Sequence, residues 1–404
     1  MKSSDYCKAL RDEVESWLDE HWDTEKACAT GADSYCEEAW LTKVVDAGFA
    51  VPTWPEKWFG RGLDARGGTA IEQAFMARRA PGWGRDRFHL GAITVFKLGS
   101  EALKEELLYK LLTGPICCLL YSEPNAGSDL AGVRTKAEKV GDEFVVSGQK
   151  VWTSNAEEAE YGMLLARTDW QAPKHQGMTF FVFPMRQDGV EIVPINQITG
   201  ESEFSEVFIT DSKVPARFII GEYNKGWSAF QTAIASERLI MGQGVTERTG
   251  RKAKSEVPPL VELASRRGRL QDPVIRQELA QTLAYRQLNS LNLNRAKEEF
   301  AMHGSSSLML LGKLAMSRVQ HGEARMAGEI LEHDVLLDGE SYPDSRNANF
   351  DAAKAYMNSI GGGTDQIQKN IIAERLLGLP KDVEVDKHIP FSEVKSNSAS
   401  APTD

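Results

Sequence analysis

The chain reads as a multidomain α+β protein in which helical segments flank a strand-rich middle. Three observations carry this reading. Apolar residues recur at helical spacing near the N-terminus, short β-rich runs separated by turn residues begin at Cys117, and the helical period returns after Lys225-Gly226. The expected boundaries are 1–118 for an N-terminal helical domain, 119–225 for a middle domain of antiparallel strands, 226–385 for a C-terminal helical region, and 386–404 for a disordered tail.

The elements follow in order. Leu10, Val14, Trp17 and Leu18 share a helix face after a cap at Ser4 or Asp5. Val51-Pro52-Thr53-Trp54-Pro55 and the glycines of Phe59-Gly60-Arg61-Gly62 interrupt this pattern. Strands are expected over 144–148, 161–166 and 179–183, with further candidates around Ile192, Phe204, Val207, Phe208 and Ile209. Asp272-Pro273 has the form of a helix start, a capping carboxylate followed by proline in the first turn, and Ile275, Leu279 and Leu283 then line one face. Gly378 and Pro380 punctuate the last helix, and the tail that follows is rich in serine and other small residues.

Composition narrows the class. The chain has 404 residues, long enough for more than one core, and is 42% hydrophobic and 26% charged, which suits a globular protein in water. No apolar run reaches the roughly 20 residues that span a bilayer, and the N-terminus lacks a signal-peptide core, so no membrane association is expected. Five cysteines, an odd number, point to free thiols in a reducing cytoplasm. Neither the adjacent Cys117 and Cys118 nor the scattered histidines have the spacing of a metal site. A net charge of −11 argues against nucleic acid as a partner. Arg248, Arg251, Lys252, Lys254, Arg266, Arg267 and Arg269 form a local basic stretch, read either as solvated surface or as a patch for nucleotide phosphates.

Three segments carry the chemistry: Leu120-Tyr121-Ser122-Glu123-Pro124-Asn125-Ala126-Gly127-Ser128-Asp129, Gln149-Lys150-Val151-Trp152-Thr153-Ser154-Asn155, and Gly361-Gly362-Gly363-Thr364-Asp365-Gln366-Ile367-Gln368. Small residues and hydroxyls stand where a backbone must approach a large polar ligand, and an indole is flanked by hydroxyl and amide groups. Alone, the first would be a plain loop and the Trp core packing. In this order and spacing they resemble the flavin segments of the acyl-CoA dehydrogenase family, a resemblance that runs from Asp5 to about Leu379. It implies an N-terminal helical domain, a middle antiparallel β-barrel and a C-terminal four-helix bundle. It also implies FAD, contacted by Leu119, Tyr121, Ser122, Gly127, Ser128, Trp152, Thr153 and Ser154, with Thr364 and Gln366 at the diphosphate.

Desaturating an acyl-CoA thioester needs a carboxylate base kept away from water, where burial raises its pKa. Many family members carry that glutamate directly before the late Gly-Thr pair, where this chain has Gly362. A second location, known in branched- and long-chain relatives, falls on Glu237 within Ala235-Ser236-Glu237-Arg238-Leu239. Glu237 is in line with the helical stripe of Trp227, Phe230, Ile234, Met241 and Val245. The bland reading of such a carboxylate is an ion pair anchoring the helix. The resemblance gives substrate-binding roles to Ser128, Arg238, Gly362 and Gly363, with the Gly362 amide donating to the thioester carbonyl. Arg238 is equally readable as a surface ion-pair partner.

Two family segments are missing: Val257-Pro258-Pro259-Leu260 stands in place of Arg-x-x-Phe-Gly, and Glu329-Ile330-Leu331-Glu332-His333 in place of Gln-x-x-Gly-Gly-x-Gly. These losses resemble the heteromeric dehydrogenases of steroid side-chain CoA thioesters, and imply an α2β2 tetramer with a sister subunit and a bulky acyl group. The resulting expectation is an FAD-dependent oxidation of an acyl-CoA to a trans-2-enoyl-CoA, with an electron-transfer flavoprotein as acceptor. The alternatives are a non-catalytic partner subunit and a flavin oxidase or monooxygenase on the same fold.

Overall fold

The computed structural model describes residues 3–23, 38–83, 90–241, 258–303 and 306–395. Contacts divide the chain into two compact units, one made of Met1–Ile195, Ser202–Glu237 and Val385–Asp404, the other of Asn196–Glu201 and Arg238–Glu384.

In the first unit, helices α1 (Ser3–His21), α2 (Glu38–Asp46), α3 (Ala65–Ala77), α4 (Leu90–Leu98) and α5 (Glu101–Thr113) precede eight strands. The α1 stripe buries Leu10, Val14 and Leu18, with Trp17 packed beside them, as its periodicity predicts. Helices α3 and α5 begin at side-chain caps: Asp64 accepts from the Gly67 amide and Ser100 from the Leu103 amide.

The strands are β1 (Cys118–Leu120), β2 (Lys136–Val140), β3 (Glu143–Ser154), β4 (Tyr161–Arg167), β5 (Met178–Pro184), β6 (Val190–Ile195), β7 (Phe204–Pro215) and β8 (Ile219–Ile220). They form one sheet in the order β6-β7-β3-β2-β4-β5-β8, with β1 added on β4. The sheet is mixed where antiparallel pairing was expected throughout, because β1–β4 and β2–β4 run parallel. The β2–β3 hairpin supplies the long connection that a parallel β1–β4 pair requires. β4 and β5 are nearly continuous apolar runs, and both are buried along almost their whole length. The segments expected as separate N-terminal and middle domains share a single core, from Val14 and Phe75 through Leu107 to Phe181 and Phe230.

The expected disordered tail needs correction over its first part. Residues 391–393 form a 3-10 turn, and Phe391 is fully buried against the sheet unit. An aromatic side chain that finds a closed site gains enough from burial to offset the ordering of its neighbours. Residues 396–404 lie outside the described residues.

Helix α6 (Gly226–Met241) begins in the first unit and crosses into the second between Glu237 and Arg238. The second unit continues with α7 (Pro259–Arg266), α8 (Pro273–His303), α9 (Gly312–Leu331), α10 (Pro343–Ile360) and α11 (Asp365–Arg375). Helix α9 packs on α8, α10 and α11, and its Met326, Ile330 and Leu331 share a core with Leu263, Ile275 and Leu279. Asp272 caps α8 as expected, its Oδ1 accepting from the Val274 amide at 2.9 Å. No helix among the described residues is long and apolar enough to cross a membrane.

Candidate active site

The site starts from a defect in the sheet. Along β3 and β7, Lys150 pairs with Val207 but Thr153 pairs with Ser205, so β3 carries one residue more than its partner. The extra residue lets Trp152 adopt φ 62°, a left-handed backbone that costs a bulky residue about 1–3 kcal/mol. The result is an indole that is 59% exposed, resting edge-on against Phe204 at 6.2 Å. Ser154 is exposed as well, whereas the Thr153 side chain is fully enclosed on the other side of the strand and its Oγ1 has no hydrogen-bond partner. Of the three residues expected to touch the cofactor here, the structure presents Trp152 and Ser154 outward and turns the Thr153 side chain away.

The loop 121–129 lies beside this bulge. Ser122 O accepts from the Val151 amide at 3.0 Å, and Glu123 and Ala126 exchange two backbone hydrogen bonds. Ser122 is half-buried, while Gly127 and Ser128 are exposed and a side chain at Gly127 would meet nothing within 4 Å. Leu119 and Tyr121 turn toward the core. The Tyr121 ring stands edge-on to Phe230 with centroids 4.8 Å apart.

Two ionic groups hold the loop, and motif reading missed both roles. Lys150 is wholly buried and donates to Tyr121 O at 3.1 Å, Leu165 O at 2.9 Å and Glu123 Oε1 at 2.9 Å. The Glu123 carboxylate also accepts from the amides of Arg134 at 2.6 Å and Thr135 at 2.8 Å. Burial alone would push the Glu123 carboxyl up, but Lys150 and these donors together hold it below the ordinary range. The second group is Arg167, also fully buried. Its guanidinium donates to the carbonyls of Ala131, Lys174 and Gln176, and burial pushes its pKa down to about 10. A charged residue inside an otherwise apolar strand such as Tyr161–Arg167 was the available signal, because such a charge must find partners.

Helix α6 leans on this loop through Phe230, which is buried between Tyr121 and Phe180, with Ala229 and Ala233 buried beside it. Trp227 and Ile234 pack at the edge of the same core, as the stripe predicts. Glu237 lies on this helix seven residues beyond Phe230, which returns it to nearly the same face about 10 Å along the axis. The side chains of Glu237, Arg238 and Met241 lie outside the described residues, as does Val245.

The late glycine segment belongs to the second unit. Gly362 and Gly363 have φ of 65° and 92°, which side-chain-bearing residues rarely adopt, and a side chain on Gly363 would stand 2.8 Å from Gln368 Nε2. Gln368, buried, donates to Gly362 O at 3.3 Å. Thr364 caps α11, its Oγ1 accepting from the Ile367 amide at 3.2 Å, and Gln366 is exposed in the first turn. Asp365 accepts from Ser317 at 2.7 Å.

The basic stretch resolves toward its bland reading where it is described. Arg266 pairs with Asp344, Arg267 with Asp334 and Asp344, and Arg269 with Asp272 and Glu332. These cations are already matched by carboxylates. Arg248, Arg251, Lys252 and Lys254 lie outside the described residues. Cys117 and Cys118 are buried free thiols whose pKa values burial raises, which disfavours the reactive thiolate at both. Among the described residues no cluster of His, Cys, Asp or Glu is arranged to hold a metal ion.

The chain belongs to the acyl-CoA dehydrogenase family: the family's N-terminal domain matches residues 4–115, its middle domain 118–212 and its C-terminal domain 224–377. It is 35% identical to the acyl-CoA dehydrogenase IpdE1 of Mycolicibacterium smegmatis, over 93% of this chain and 98% of that protein. It is 34% identical to the acyl-CoA dehydrogenase FadE34 of Mycobacterium tuberculosis, over 85% of this chain and 47% of that one. Among solved structures, the Tcur3481-Tcur3483 steroid ACAD shares the fold with a TM-score of 0.72 at 24% identity, covering 93% of this chain and 98% of that chain. The ChsE4-ChsE5 complex from Mycobacterium tuberculosis does so with a TM-score of 0.66 at 22% identity, with the same coverages.

The protein is therefore an FAD-dependent oxidoreductase of acyl-CoA dehydrogenase type. Its residues fit that cofactor. Within the first unit, Trp152 offers an exposed aromatic wall and Ser122 and Ser154 offer hydroxyl donors. Within the second unit, the Gly362–Thr364 turn opens an 11-residue helix, and backbone amides at a helix start favour an anion.

Proposed function

We propose that this chain oxidises a bulky acyl-CoA thioester of the steroid side-chain type to the trans-2-enoyl-CoA, with Glu237 as the base. The observation that carries this is the α6 stripe: Phe230 is fixed against Tyr121 of the cofactor loop, and Glu237 follows two turns later on the same helix face.

Bound FAD supplies the two-electron acceptor for the hydride that leaves C3. The chain's own residues do the rest. Ser122 and Ser154 would donate hydroxyls to the ring edge, and Trp152 would shield it from water. Thr364 and Gln366 would hold the diphosphate. Ser128 and Arg238 orient the CoA thioester, and the amides of Gly362 and Gly363 donate to its carbonyl oxygen. Charge developing on that oxygen as the C2 proton leaves is thereby stabilised, an effect typically worth about 3 kcal/mol. Glu237 takes that proton onto its carboxylate.

Likeness to the ChsE4-ChsE5 complex supports an α2β2 assembly with a sister chain, and the steroid ACAD supports a bulky substrate. We assign an electron-transfer flavoprotein as acceptor and the cytoplasm as the site of action.

One observation favours a second reading, a partner subunit without chemistry of its own: the position where many relatives carry the base is a glycine in left-handed backbone. The test is to purify the chain alone and with its sister, load FAD, and add a steroid-type acyl-CoA without oxygen. Bleaching of the flavin band that Glu237→Gln abolishes supports the dehydrogenase. Bleaching in the paired enzyme that survives Glu237→Gln makes this chain the partner, and rapid oxygen consumption on aeration makes it an oxidase.

A further inference from the structure

The segment after Val385 returns to the sheet unit and closes over the groups that hold the cofactor loop. Phe391 is fully buried, with the Arg167 guanidinium 3.7 Å from its ring centroid and that of Arg134 at 5.0 Å. The Trp170 ring lies 5.5 Å away. Backbone bonds dock the chain on both sides of the ring: the Phe391 amide donates to Ala172 O at 3.0 Å and the Ser392 amide to Trp170 O at 2.9 Å. Arg134 Nη2 donates to Val394 O at 2.9 Å. At the other end Lys174, almost wholly buried, bridges Asp386 at 3.2 Å and Asp129 at 3.3 Å.

Three of these anchors, Arg167, Arg134 and Lys174, also hold the cofactor loop. Arg167 donates to Ala131 O at 2.8 Å, and the Arg134 amide donates to Glu123, the carboxylate that Lys150 holds. Asp129 is next to Ser128. The Arg167 guanidinium meets carbonyl oxygens and one ring face, and Phe391 is that face. Without the ring, water reaches a buried cation whose hydrogen bonds to Ala131 and the 174–176 turn are then exchangeable for solvent.

We propose that residues 386–394 are a strap that sets the chain's affinity for FAD by holding loop 121–134 in its binding conformation, with Phe391 as the positioning residue. This rests on the reading of Ser122, Ser128 and Trp152 as the cofactor surface. A loop held from one side by the Lys150–Glu123 pair and from the other by the strap binds without first being ordered, and loses affinity in proportion to any disorder it regains.

The test uses the full chain with Phe391→Ala and Phe391→Tyr. Amide hydrogen exchange is followed in peptides over 121–134, with β5 as the internal reference, and FAD is titrated into stripped protein by fluorescence quenching. In Phe391→Ala, exchange over 121–134 rises about tenfold with β5 unchanged, and the Kd for FAD rises about tenfold. Phe391→Tyr, which keeps a ring under Arg167, restores both. Exchange over 121–134 within twofold of the unvaried chain overturns the strap, and raised exchange with unchanged FAD affinity overturns its role in cofactor binding. If Phe391→Ala does not fold, Asp386→Asn, which removes only the Lys174 partner at the strap's outer end, is judged by the same readouts, with about a threefold rise expected. If the unvaried protein takes up no FAD either alone or paired with its sister chain, the reading of the cofactor surface fails, and unchanged exchange over 121–134 in Phe391→Ala then overturns the strap by itself.

Discussion

Lys150 Nζ lies 2.9 Å from Glu123 Oε1, an ion pair that ties loop 121–129 to the middle of β3. The lysine is fully enclosed and the glutamate side chain is 9% exposed, so neither charge has water to fall back on. Removing one partner leaves the other buried and unmatched, which typically costs about 3–5 kcal/mol. Lys150→Met is expected to lower unfolding free energy in urea by that order. The double variant Lys150→Met/Glu123→Gln is expected to lose clearly less than the sum of the two single variants, because no isolated charge remains. Additive losses would mean the two side chains act independently.

The same pair sets an acid limit. The Glu123 carboxyl sits below its ordinary 4.5 in the folded chain, since Lys150 and the amides of Thr135 and Arg134 outweigh its burial. A depressed carboxyl contributes stability that is complete above the unfolded value and disappears as pH falls through the lower folded value. Unfolding free energy measured from roughly pH 6 down to pH 3 should fall more steeply below about 4.5 in the unvaried chain than in Glu123→Gln. Parallel slopes for the two would remove Glu123 from the acid response.

Trp152 separates stability from function. Its left-handed backbone is a cost to the fold that glycine would not carry, and its side chain is mostly in water, so little packing is lost on removing it. Trp152→Gly is therefore expected to leave the melting temperature of the FAD-free protein unchanged or slightly higher, by up to about 1 kcal/mol of stability. Its FAD affinity should nevertheless fall by about tenfold, the loss of one aromatic wall. A large loss of melting temperature in the FAD-free protein would instead make the indole a structural residue.

These contrasts show what is legible in the residue order. Ser122, Trp152 and Thr364 stand in short local motifs that are visible in the residue order, and the apolar stripe through Phe230 follows from period alone. Thr153 cannot be sorted from its neighbours in this way, because the bulge that turns it inward depends on the register with β7. Lys150, Glu123 and Arg167 sit inside or beside readable segments, yet their partners lie on other strands and loops, beyond the reach of spacing. Phe391 is hidden by its surroundings: a single aromatic in a polar terminal stretch looks like tail until the site that receives it, built from Arg134, Arg167 and Trp170, is assembled. The basic run left two readings open that spacing could not separate, since the acidic partners of Arg266, Arg267 and Arg269 come from far along the chain.

Glu237 carries the proposed chemistry, and two substitutions test it together. Glu237→Gln keeps the volume of the side chain and removes the base, so turnover should fall by about 10^2- to 10^4-fold while FAD content and melting temperature stay unchanged. Many relatives place a glutamate where this chain has Gly362, so Gly362→Glu in the Glu237→Gln background offers a carboxylate from the other location. Rescue is expected to be poor. The backbone at Gly362 has φ 65°, and a glutamate there must either accept strain of about 1–3 kcal/mol or rearrange the turn that opens α11. The double variant should therefore recover less than about one hundredth of the original rate and lose FAD affinity as the turn shifts. Full recovery would show that the left-handed turn does not decide which carboxylate serves. Full activity in Glu237→Gln alone would remove this residue from the reaction and move the base to another chain.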